Sequence, residues 1–129
     1  MDRHVGLFSI VVADYDEAIE FYTKSLGFAL IADEDRDAGK RWVVVKPGTS
    51  GTGIVLAKAK NSEEESRIGN QTGGRVGFFL YTEDFQRDYD SMLANGVRFL
   101  EEPRYEAYGS VAVFEDLYGN KWDLLERKG

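Results

Sequence analysis

The chain repeats one phrase. An apolar segment runs into Asp14-Tyr15-Asp16-Glu17-Ala18 and a helical stretch closed by Leu26-Gly27-Phe28; about seventy residues later Thr82-Glu83-Asp84, a second helical stretch and Ala94-Asn95-Gly96-Val97 follow in the same order. A strand-helix-strands unit present twice has two apolar sheet faces to cover, and each needs its own helix. The expectation is that the two copies meet, and that the seam between them is a cavity holding whatever function the chain has.

Hydrophobic periodicity places the elements. Phe8, Ile10 and Val12 alternate with Leu7, Ser9 and Val11, a strand with one wholly apolar and one mixed face. Asp14 suits an N-cap, and Ala18, Ile19, Tyr22 and Leu26 follow at helical spacing before Gly27 ends the helix. Strands are predicted over 28–32, 41–45 and 53–57, the last two joined by the turn-forming Pro47-Gly48-Thr49-Ser50-Gly51. Residues 61–74 are polar and Gly-ended and read as a linker between half-modules 1–60 and 75–129. The second half repeats the order: strand 76–81, a helix from Asp84 with Phe85, Tyr89, Met92 and Leu93 on one face, and strands 97–100, 110–114 and 121–125. The result is an α+β chain of tandem βαβββ modules, forming a curved, partly open eight-stranded mixed sheet around a central cavity with the helices on the convex side.

Composition bounds the function. With 129 residues the chain fits one domain, and without cysteine it has no disulfide, no thiolate nucleophile and no zinc-thiolate site. A formal net charge of -7 argues against binding a phosphate backbone. The N-terminus has no basic n-region or cleavage site, and the longest apolar stretch, from Val5 to Ala13, is too short to span a bilayer. The expected setting is cytoplasmic, with a small molecule as partner and neither nucleic acid nor membrane.

On Val12-Ala13-Asp14, Phe21-Tyr22 and Leu26-Gly27-Phe28, with Phe114-Glu115-Asp116 and Gly119-Asn120 late in the chain, the sequence resembles the vicinal oxygen chelate superfamily of glyoxalases, bleomycin-resistance proteins and extradiol dioxygenases. The resemblance spans nearly the whole chain. It implies a scaffold whose catalytic members hold a divalent metal with His, Glu or Gln side chains projecting from defined strands, and whose other members only bind.

Carried onto this chain, the four ligand positions fall on Leu7, Val55 (within Val55-Leu56), Arg75 and Asp123. Alkyl chains cannot ligate, and the neighbours two residues away on the same faces are no better. The resemblance therefore implies a lost metal site, with no cofactor. Because the last two positions belong to one half and point at one ion, Arg75 and Asp123 are expected to pair, the guanidinium standing where the metal would be.

Other candidates have plainer readings. His4, the sole histidine, is expected to be exposed or to cap, and Ser9 to line the cavity, lacking a base to activate it. Gly48-x-x-Gly51-x-Gly53 joins strand to strand, unlike a phosphate loop. Strand parity sends Phe79 toward the cavity and Trp122 toward the helix, while Trp42 and Tyr108 could be pocket walls or structural. The expected cavity residues are Leu7, Ser9, Arg41, Trp42, Val55, Arg75, Phe79, Tyr108 and Asp123. The resemblance to the bleomycin-resistance branch implies a metal-independent binding protein, a homodimer in the manner of that branch. The alternatives are a metal-dependent lyase, isomerase or dioxygenase whose ligands stand at positions other than these, and a scaffolding subunit without a pocket.

Overall fold

The computed structural model describes residues 2–129, which divide into two compact units, 2–68 and 69–129. The first contains β1 (Leu7–Val12), α1 (Tyr15–Glu20), a π-helical turn (Phe21–Ser25), β2 (Ala29–Asp35), β3 (Arg41–Lys46), β4 (Gly53–Lys58) and a short α2 (Ser62–Glu65). The second contains β5 (Phe78–Tyr81), α3 (Phe85–Ala94), β6 (Arg98–Phe99), β7 (Arg104–Glu106), β8 (Gly109–Glu115) and β9 (Lys121–Arg127). The fold is α+β with two βαβββ-like modules. The single eight-stranded sheet expected from the sequence resolves into two open, mixed sheets, in the orders β1-β4-β3-β2 and β5-β9-β8-β6, with β7 also paired to β8. In each, the strand before the helix runs parallel to the last strand of its module.

The duplicated phrase is local chemistry. Asp14 and Asp84 both cap their helices, accepting from Glu17 N at 2.9 Å and Arg87 N at 3.1 Å. Gly27 and Gly96 end them with φ of 76° and 87°, a conformation that a β-carbon opposes. After α3 the closing bonds run from Gly96 N to Leu93 O and from Val97 N to Met92 O. After α1 the π-turn widens the closure, and Phe28 N reaches Tyr22 O at 2.9 Å while the two rings pack 5.6 Å apart.

Each sheet buries one face under its helix. In the first unit Ile10, Val12, Val43, Val45, Ile54 and Leu56 are buried with Ala18 and Tyr22. In the second, rings succeed one another from Phe78 to Trp122, Phe114, Phe99, Tyr89 and Phe85, with neighbouring centroids 4.5–5.8 Å apart. Trp122 thus lies on the helix side.

Two segments carry detail beyond the sequence reading. Residues 61–74 are partly structured: Asn61 caps α2 by accepting from Glu64 N at 2.8 Å, and Gln71 N donates to Asn120 Oδ1. The predicted strand 97–100 continues past a break. Leu100 N still donates to Val113 O, residues 101–103 leave the ladder, and pairing resumes at Arg104↔Val111. Pro103 has no N–H to offer an edge strand, so the break falls where pairing is weakest.

Candidate functional site

Residues paired across strands share a face. In the first unit Ser9, Val55 and Val44 are aligned in adjacent strands, with Leu7 and Trp42 two residues along β1 and β3 on the same face. This face has no helix over it. Leu7 is 44% exposed and Trp42 37%, so it presents apolar surface. Leu7 fills the space that Gly53 leaves: a β-carbon at Gly53 would lie 2.9 Å from Leu7 Cδ2.

Arg41 does not belong with them. Adjacent strand residues point to opposite faces, so Arg41 shares the helix-covered side with Val43 and Val45. There it bonds Asp33 through Nε and Nη2, pairs with Asp16 of α1 at 2.9 Å, and stands over the Tyr15 ring 5.1 Å from its centroid. Its backbone N–H donates to the Tyr15 hydroxyl. Hydrogen bonds to Asp33 and then Asp16 hold the guanidinium pKa above its usual range. Arg41 is therefore a fastener between helix and sheet.

In the second unit the uncovered face carries Phe79, Asp123 and Val113 in one cross-strand row over β5, β9 and β8. Phe79 is 56% exposed, and Asp123 is half-buried. The expected pair between Arg75 and Asp123 is not formed. β5 starts only at Phe78, Arg75 lies exposed before it, and its carbonyl takes a bond from the Thr72 hydroxyl. The cation that acts on Asp123 is Arg104. Burial raises the Asp123 pKa, the charge of Arg104 opposes that rise and Glu101 adds to it.

Arg104 was not among the predicted residues. Its guanidinium bonds both oxygens of Glu101 at 3.1 and 3.2 Å and lies 3.6 Å from Glu106, and bonds to Glu101 and then the Tyr108 hydroxyl raise its pKa. Tyr108 therefore adjoins this cluster. The alternation Arg104, Tyr105, Glu106 was a strand signal, obscured by the preceding Pro103. His4 is exposed and precedes β1.

Two clefts in the second unit lie elsewhere, both bordered by the end of β9. One of about 670 Å³ is lined by residues 81–83 and 126–129, and one of about 230 Å³ by residues 105–106, 109–110 and 126–128. Neither includes a predicted site residue.

The donors do not suit a metal. The positions where metal-binding members carry ligands hold two alkyl groups, an exposed guanidinium and a single carboxylate. Among the described residues no three His, Cys, Asp or Glu side chains gather where they could hold an ion. No helix among them is long and apolar enough to cross a membrane.

Paired βαβββ-like modules, each with an open mixed sheet and one helix-covered face, define the vicinal oxygen chelate fold. The chain belongs to the Glyoxalase/Bleomycin resistance protein/Dioxygenase superfamily, whose sequence profile matches residues 4–124. An uncharacterized protein of Shewanella frigidimarina is 51% identical over 128 residues, covering 98% of this chain and 95% of the relative. The crystal structure of UcmS2 superposes with a TM-score of 0.83 at 29% identity, covering 97% of this chain and 98% of the other. That of TnmS3, an antibiotic binding protein from Streptomyces sp. CB03234, superposes with a TM-score of 0.79 at 30% identity, covering 98% of each.

Proposed function

We propose that this chain is a small-molecule-binding protein that works without a bound metal, as a homodimer, taking its ligand on the open faces of its sheets. The observation that carries the reading is the set of residues at the metal-ligand positions. Leu7 and Val55 offer no donor, Arg75 repels a cation, and one carboxylate with water competes poorly for a transition metal. What these faces do offer is apolar and aromatic surface, in Leu7, Trp42 and Phe79, beside a few polar groups, the usual composition of a small-molecule site. The likeness to TnmS3, an antibiotic binding protein, supports the same class of partner.

The test is a pair of titrations on the purified chain. Calorimetry with Mn, Fe, Ni and Zn salts is expected to show no stoichiometric site, while a panel of flat, apolar antibiotics is expected to quench Trp42 fluorescence saturably. A metal bound one to one with micromolar or tighter affinity would overturn the reading. Sedimentation of the same sample tests the dimer.

A further inference from the structure

Asp123 is a half-buried acid that Arg104 influences only at a distance. Among the described residues its carboxylate has no ion pair and no hydrogen bond, although it is half-buried between Phe79 and Val113. Most of the charges nearby stand in pairs, and Lys121, two residues along β9, faces Glu115 across the ladder. Arg104 is held by Glu101 and Glu106, and Glu115 pairs with Arg98 at 3.6 Å. A half-buried carboxylate without a partner costs free energy, and burial pushes its pKa up. A ligand that supplies the partner recovers that cost.

The ligand's charge follows. An anion meets Asp123, Glu101 and Glu106 together, and Arg104 is already shared between two of them. A neutral ligand buries Asp123 further and leaves it unpaired. A cation satisfies it, and a chain of net charge -7 draws cations toward it. The ligand's shape follows from Phe79, directly across the ladder from Asp123 and 56% exposed, a ring face open to stacking.

We infer that the open face of β5, β9 and β8 recognises a flat ring system bearing a protonated nitrogen, the ring lying on Phe79 and the nitrogen donating to Asp123. This rests on the small-molecule reading above and names the chemical class that reading leaves open. Phe79 supplies affinity for any flat ring. Asp123 supplies the preference for positive charge.

The experiment uses the whole chain and three flat probes of similar size: proflavine as the cation, anthracenemethanol as the neutral ring and anthracenecarboxylate as the anion. Affinities are read by fluorescence and calorimetry at physiological salt, where diffuse attraction is screened. Proflavine is expected to bind at least about ten-fold tighter than the anion. Asp123→Asn should bring the two to within about two-fold while binding anthracenemethanol as tightly as before or tighter, and Phe79→Ala should weaken all three. The ratio of cation to anion affinity within one variant is insensitive to partial unfolding, because both probes see the same folded fraction. Equal affinities in the unmodified chain, or a preference that survives Asp123→Asn, would overturn the inference and leave small-molecule binding standing. Failure of proflavine to bind would likewise overturn the inference, while the metal and antibiotic titrations above decide the small-molecule reading separately.

Discussion

Asp116 accepts from Asn120 twice, from its backbone N–H and from its side-chain amide, each at 3.0 Å. Both residues are buried, and the same carboxylate also takes Tyr118 N at 3.1 Å and the Trp122 indole N–H at 3.4 Å. This turn joins β8 to β9 and sets which residues of β9 reach each face. Asp116→Ala strands several buried donors, each costing about 1–3 kcal/mol when unsatisfied. The expected loss is about 3 kcal/mol in urea unfolding, and a loss under about 1 kcal/mol would refute the assignment.

Arg41→Ala should cost stability without touching ligand affinity. The pair with Asp16 is largely exposed, at 80% for the Asp16 side chain, so solvent screening leaves about 1 kcal/mol from this whole network. A thermal melt and a proflavine titration of the same variant separate the two effects. Weakened binding with an unchanged melt would put Arg41 back at the site.

Asp123→Asn is expected to leave the melting temperature at neutral pH unchanged or raised. The folded pKa of Asp123 lies above its unfolded value, so the ionised group opposes folding at neutral pH and stability is regained as pH falls through the folded pKa. Asparagine removes that burden at neutral pH. A buried ion pair would give the opposite result, a loss of about 3–5 kcal/mol on removing one partner.

Thr82→Val tests a carboxylate shifted the other way. Burial pushes the Asp88 pKa up, but bonds from Arg87 and from the Thr82 hydroxyl outweigh it and the net shift is down. A depressed folded pKa gives stability that is present above the unfolded value, near 3.9, and lost as pH falls through the folded one. The variant should lose about 1 kcal/mol at neutral pH, and the gap from the unmodified protein should narrow below about pH 4. A gap independent of pH would assign the loss to packing.

What could be read without coordinates was local. Asp14, Asp84, Gly27 and Gly96 announce caps and stops because each satisfies its own backbone, and parity alone separated Phe79 from Trp122. Three misplacements share a cause, the limits of strands. Arg41 and Trp42 cannot both face a pocket, because a regular strand sends consecutive residues to opposite faces. The ligand position carried onto Arg75 lies ahead of a strand that begins only at Phe78. Arg104 was missed because Pro103 hides the resumption of pairing. The partner of a charge depends on residues brought together by the ladder, and no short window of sequence contains them.

The π-turn at Phe21–Ser25 sets how the two halves of the chain align. Gly27 follows its cap, Asp14, by thirteen residues, whereas Gly96 follows Asp84 by twelve. The wider loop of hydrogen bonding before Gly27 is where the extra residue is housed. An alignment of the two halves therefore needs a gap of one position in the second helix, opposite the bulge that houses the extra residue of the first.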